Sequence, residues 1–189
     1  MSELGPLLAG FRVADPVIAA HVRAVRDLVA TVPDPCDRGE FRPGHLTASA
    51  FVLSADGASV LLVLHRRLGR WLQPGGHIDP VDPDPEAAAR REVAEETGVV
   101  ATGPGRLVDV DVHRIPAGKG EPPHRHFDLR FLYRRWHGEP RPGDGAADVA
   151  WAPLDELAVA AGDVSLRRAA RRILVRAPKL AAGLNREEA

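Results

Sequence analysis

Residues 75–99 read GGHIDPVDPDPEAAARREVAEETGV, and this stretch decides how the rest of the chain is understood. The stretch from Gln73 to Pro85 is rich in Gly, Pro and Asp and reads as a loop. After it, EAAARREVAEET is built from good helix formers and stops at Gly98, a residue suited to closing a helix in the left-handed conformation. On that helix Glu92, Glu95 and Glu96 share one face, because residues three and four apart are neighbours. Like charges at this spacing repel by about 0.2–0.5 kcal/mol per pair, and acids are disfavoured near a helix C-terminus. Stability alone would place Lys or Arg there. Two readings follow. One is a solvated face neutralised by Arg90 and Arg91; the other is a site for a hard divalent cation, which prefers oxygen ligands and removes the repulsion.

Working outward, Asp15 is a suitable N-cap and Pro16 a suitable first residue for an N-terminal helix. Val17, Ile18, Val22, Val25, Leu28 and Val29 form its apolar stripe, and Pro33 and Pro35 end it. From His45 the period changes. HLTASAFVLS and ASVLLVLHRR flank Asp56-Gly57, which predicts a β-hairpin. Further strands are expected at RLVDVDVHRI and HFDLRFLYRR, then a strand entering a helix at DVAWAPLDEL, and a last helix near residues 165–176. Strands mixed with two or three helices predict an α/β or α+β domain over 45–189, with 1–44 a helix and lead-in packed on it.

The composition of the 189 residues excludes several classes. Hydrophobic residues at 44% and charged ones at 27% are ordinary for a globular domain and exclude a disordered chain. The net charge of −1 gives no basic field for nucleic acid, so no nucleic-acid partner is expected. No apolar run reaches a membrane span and no signal-peptide pattern opens the chain, so a cytoplasmic protein without a membrane partner is expected. Cys36 is the only cysteine, which leaves no intrachain disulfide and no cysteine-based zinc site.

The helix and its approach resemble the Nudix box, G-x5-E-x7-R-E-U-x-E-E-x-G-U, where U is bulky and aliphatic. Arg91, Glu92, Val93, Glu95, Glu96, Gly98 and Val99 match its second half, and Trp71, Pro74, Gly75 and Gly76 match the W-x-x-P-G-G approach. Two positions depart. Asp82 stands where the family has glutamate, and eight residues instead of seven separate it from Arg91. The resemblance implies an α/β/α sandwich with a mixed central sheet. It also implies a hydrolase that uses Mg²⁺ or Mn²⁺ to cleave a nucleoside diphosphate linked to another group. The alternative is a non-catalytic nucleotide-binding module of the same family. A homodimer is common among relatives.

The same resemblance implies roles for single residues. Glu95 and Glu96 are the principal metal ligands, with the Gly76 carbonyl completing the shell. Glu92 is a further ligand or the base that takes the water proton, and Arg91 holds a glutamate by a bidentate pair. A later-loop carboxylate is the other candidate base, drawn from Glu121, Asp144 and Asp148, with Glu121 foremost. Asp82 is expected to be dispensable beside the glutamates, with Asp79 and Asp84 near enough to replace it. Arg66 and Arg67, and with them Arg70, are candidates to face phosphates. In HRHFDLRFLY, His124, His126 and Asp128 share one strand face opposite Phe127, Leu129 and Phe131. That polar side faces water, a transition metal or the substrate pocket. The resemblance favours the pocket, with the histidines donating to phosphate or ribose oxygens and Asp128 fixing an imidazole tautomer.

Overall fold

The computed structural model describes residues 4–11, 13–118 and 120–184, with side chains as far as Val175. The helices are α1 (Leu4–Gly10), α2 (Pro16–Thr31), α3 (Pro85–Thr97), α4 (Leu154–Ala160) and α5 (Val164–Leu184). The strands are β1 (His45–Val52), β2 (Ser59–His65), β3 (Arg70–Leu72), β4 (Gly75–His77), β5 (Val100–Thr102), β6 (Arg106–Ile115), β7 (His124–Tyr133), β8 (Arg135–His137) and β9 (Ala146–Pro153). The central sheet runs β4-β1-β7-β6 and is mixed, with β1 parallel to β7 and the other pairs antiparallel. A second sheet runs β3-β2-β9, and β5 pairs with β8. No helix among the described residues is long and apolar enough to cross a membrane.

The two-residue period of β1 and β7 decides the layers. Leu46, Ala48, Ala50 and Val52, with Phe127, Leu129, Phe131 and Tyr133, face one core. There they meet Ala88, Ala89 and Val93 of α3 and Ile18, Val22, Val25 and Leu28 of α2. The opposite parity brings Phe51, Leu53 and Leu132 against Val60 and Leu62 of β2 and against Leu166, Ala169 and Ile173 of α5. Both faces of β1 are covered, which explains why all eight of its residues are buried.

The predicted hairpin forms only at its tip. Gly57 N–H bonds Ser54 O and one bridge joins Leu53 to Val60, and then the strands part into different sheets. The reason is that β1 has two edges and β4 and β7 occupy both. Asp15 caps α2 as expected, accepting from Val17 N and Ile18 N. The N-terminal α1 and the three-residue strands β3, β4, β5 and β8 are additions to the expected elements.

Candidate active site

Helix α3 is held at both ends. Asp84 accepts from Ala87 N–H at 2.8 Å, Pro85 follows in the first turn, and Gly98 closes the helix with φ 68°. With Ala88, Ala89 and Val93 buried against the sheet, Glu92 and Glu96 are left on the side that meets β4, and Glu95 stands exposed beside them. Glu96 Oε2 accepts from Gly75 N–H at 3.0 Å. The backbone of Gly76 runs so close to Glu92 that a Cβ there would lie 2.6 Å from Glu92 Oε1. A Cβ on Gly75 would stand 2.3 Å from that of Ser49. The segment before β9 closes over the end of α3, with Gly143 N–H on Glu96 O and Asp144 N–H on Glu95 O.

Burial, reinforced by the charges of Glu92 and Glu95, pushes the Glu96 carboxyl up to about 7 against the opposing Gly75 hydrogen bond. Glu92 is also raised, first by burial, although Arg91 works the other way. Glu95 is the most open of the three, its side chain 47% exposed. The raised carboxyls of Glu92 and Glu96 are relieved by a cation, and the space above Gly76 exists only because that residue has no Cβ. This donor set fits a hard divalent ion.

Arg91 corrects one expectation. Its bidentate partner is Asp82, reached through Nε at 3.1 Å and Nη2 at 2.9 Å, and not a glutamate. Nη1 makes single contacts to Glu92 and Glu95, both at 3.0 Å, and Nη2 also donates to His77 O. The extra loop residue allows a tight turn in which Asp82 N–H bonds Asp79 O while Asp82 Oδ2 accepts from Asp79 N–H. That turn brings the shorter carboxylate onto the guanidinium, where its side chain is only 6% exposed. Burial alone would raise Asp82, but the bonds from Arg91 and Asp79 outweigh it and hold the carboxyl low. Asp84 is committed to the helix cap and cannot stand in for it. Asp79 reaches Arg91 only at 3.5 Å.

The remaining expected residues are dispersed. Arg66 donates to Ala146 O at 2.7 Å and so ties the β2–β3 turn to β9, while Arg67 is exposed. Arg70 pairs with Asp163. Glu121 lies 3.9 Å from Arg38, and its charge acts on His45 and His77. Asp144 and Asp148 are exposed. Cys36 packs against the core, and burial pushes its thiol up to about 11, which makes it a poor nucleophile.

His124, His126 and Asp128 do share a face, but Asp128 bonds no histidine. It accepts from Thr47, Ser49 and Arg130. Arg130, only 3% exposed, also holds Asp109 and Asp111, and Arg168 of α5 bonds the same two carboxylates. The histidines instead join His45, His77 and His113. Burial, then the neighbouring imidazoles, lowers His126 to about 2, and burial lowers His77 to about 4. Neutral rings have little pull on phosphate. The signal for these unforeseen residues was present in the strand period. His45, Thr47 and Ser49 alternate in β1, as do Asp109, Asp111 and His113 in β6, at the same parity as His126, Asp128 and Arg130.

The NUDIX domain model matches residues 43–173. A curated relative from Lactococcus lactis subsp. cremoris (strain MG1363), named probable DHNTP pyrophosphohydrolase, is 38% identical over 98 residues, covering 50% of this chain and 57% of that protein. The chain therefore spans just over half the length of that relative. Among solved structures, a MutT NUDIX hydrolase from Burkholderia pseudomallei is similar with a TM-score of 0.53 at 26% identity, over 67% of this chain and 95% of that one. The MutT protein from Methanosarcina mazei Go1, at 18% identity and a TM-score of 0.52 over 68% and 91%, shares the fold.

Proposed function

This chain belongs to the NUDIX family, and we propose that it hydrolyses the diphosphate bond of a small molecule with Mg²⁺ or Mn²⁺ at the carboxylate face of α3. The substrate class is a nucleoside diphosphate linked to a second group, or a related diphosphate. The observation that carries the reading is geometric: Glu96 accepts from Gly75 N–H, Glu92 lies against the Gly76 backbone, and Arg91 ties Glu95 to Glu92.

A bound divalent ion supplies charge neutralisation for phosphate oxygens and lowers the pKa of a bound water. The chain's own residues divide the rest. Glu95 and Glu96 would hold the ion, together with the Gly76 backbone. Glu92, buried and with a raised pKa, is the group suited to receive the water proton. Glu121 is a weaker candidate because it stands beside the histidines. Arg91 positions Glu92 and Glu95 from its seat on Asp82, and its guanidinium is already fully engaged by the protein. Exposed Arg67 is available to a phosphate. In this reading 45–189 form the hydrolase domain, 1–44 pack on it as a lead-in, and the setting is cytoplasmic.

The test is a screen of the full chain with Mg²⁺ and with Mn²⁺. It covers nucleoside triphosphates, nucleotide sugars, ADP-ribose, dinucleoside polyphosphates, prenyl diphosphates and DHNTP, the last because of the name of the Lactococcus relative. Metal-dependent release of phosphate or pyrophosphate from at least one compound is expected. Binding of a nucleotide without turnover of any compound would instead support the non-catalytic module.

A further inference from the structure

Five histidines meet on one face of the central sheet, and strand register brings them together. His126 lies directly opposite His45 on β1 and His113 on β6. His77 of β4 pairs with Thr47, two residues beyond His45, and His124 is two residues before His126. Their ring centroids are 4.8 Å apart for His45 and His126, 5.1 Å for His45 and His77, and 5.4 Å for His77 and His126. One ring nitrogen from each of these three lies within 4.8 Å of the others.

Hydrogen bonds fix which nitrogens are open. Nδ1 of His45 lies 3.1 Å from Glu40 O, and Nδ1 of His124 lies 2.9 Å from Pro122 O. A carbonyl only accepts, so each Nδ1 is the donor and Nε2 is the nitrogen left to face the cluster. His113 Nδ1 is held in the same way by Asp111, at 3.0 Å. An imidazole oriented by a carbonyl or carboxylate at one nitrogen, with the other left open, is the arrangement metal-binding histidines show. The Nε2 of His45 has no hydrogen-bond partner although the residue is 1% exposed. The Nε2 atoms of His124 and His126 stand 3.3 Å apart, within hydrogen-bond distance, which ties His124 to the ligand ring beside it.

We propose that His45, His77 and His126 bind a borderline transition-metal ion, Zn²⁺ fitting best, at a site separate from the glutamates of α3. Imidazole nitrogens suit Zn²⁺, Ni²⁺ and Co²⁺, whereas Mg²⁺ is held by oxygen, so the two sites select different ions. Three protein nitrogens leave a further coordination position for water or a small anion. His124 flanks His126 and steadies the cluster. The site stands on its own geometry, independent of the diphosphate reading.

The test uses the full chain, stripped of metal, with Co²⁺ as a spectroscopic probe. One equivalent of Co²⁺ should give the intense visible bands of low-coordinate nitrogen ligation, displaced by Zn²⁺ but not by a large excess of Mg²⁺. His126→Ala and His77→Gln should each weaken that binding by at least about tenfold. The Glu95→Gln/Glu96→Gln double variant should keep it, with circular dichroism confirming that each variant is folded. His77 is only half-buried, so its variant still decides the matter if His126→Ala fails to fold. The proposal is overturned if the unmodified chain gives no such bands. It is equally overturned if the double glutamate variant loses them while folded His77→Gln keeps them.

Discussion

Glu96→Gln should stabilise the metal-free protein, and by an amount that depends on pH. In the unfolded chain the carboxyl ionises near its ordinary 4.5, but in the fold burial and the charges of Glu92 and Glu95 hold it to about 7. Between those values the folded state binds more protons than the unfolded state. Ionisation therefore works against folding: the stability is full below about pH 4.5, declines as pH rises to about 7, and is level above that. A rise of this size corresponds to about 3 kcal/mol as an upper limit. The glutamine keeps an oxygen for Gly75 N–H and carries no charge to oppose Glu92 and Glu95, so a gain of about 1–3 kcal/mol is expected at pH 7.5 and little gain at pH 4.5. The assay is urea unfolding of both proteins in chelator across that range, read as the difference between them. The difference matters because His77 and His126, with lowered values, tilt both proteins the other way, losing stability as pH falls below about 6.5. Saturating Mg²⁺ should then narrow or reverse the ranking, since the wild type gains more from the ion. A glutamine variant no more stable than wild type at pH 7.5 would refute the reasoning.

Asp82→Asn removes the charged partner of Arg91 and should cost about 2 kcal/mol of stability by urea unfolding, with a smaller loss of turnover than Glu96→Gln. Equal loss of turnover in the two variants would promote Asp82 to a direct role in the chemistry. Gly75→Ala forces a Cβ to 2.3 Å from that of Ser49 and 2.7 Å from Ala48 O, so a loss of about 1–3 kcal/mol or more is expected in thermal melts. Gly118→Ala, with nothing within 4 Å, is the neutral control. Arg130→Met leaves Asp109, Asp111 and Asp128 buried without that cation and should cost about 3–5 kcal/mol. A variant as stable as wild type would mean that Arg168 and the hydroxyls of Thr47 and Ser49 suffice.

The parts of the fold legible in the sequence are those whose signal is local. The α3 helix could be read from its helix formers and Gly98, and α2 from Asp15, Pro16 and an apolar stripe that faces the core as expected. Strands β6 and β7 showed in their alternation. The three-residue strands did not, because three residues carry no period and form only where a neighbour offers an edge. The Asp56-Gly57 turn forms where the sequence predicts it, but a turn does not say which edges its strands will find. The same limit hid the histidine cluster. Glu92, Glu95 and Glu96 are neighbours on one helix. His45, His77, His113 and His126 come from four strands and meet only through register, which no single segment contains. Arg91's partner was missed for a steric reason. The shorter carboxylate and longer loop predict a dispensable Asp82, yet that loop forms the turn that lets the carboxylate reach the guanidinium.

Whether the α3 carboxylates hold the metal that drives diphosphate hydrolysis is tested most directly by one measurement. Turnover of the best substrate from the screen is followed at saturating Mg²⁺, then in excess chelator, then with Mg²⁺ restored, for wild type and Glu96→Gln. The wild type should lose activity with chelator and recover it with Mg²⁺, while folded Glu96→Gln at saturating Mg²⁺ should turn over slower than the Mg²⁺-loaded wild type by orders of magnitude, about 10² or more. Undiminished turnover in chelator, or wild-type turnover by Glu96→Gln, would contradict it.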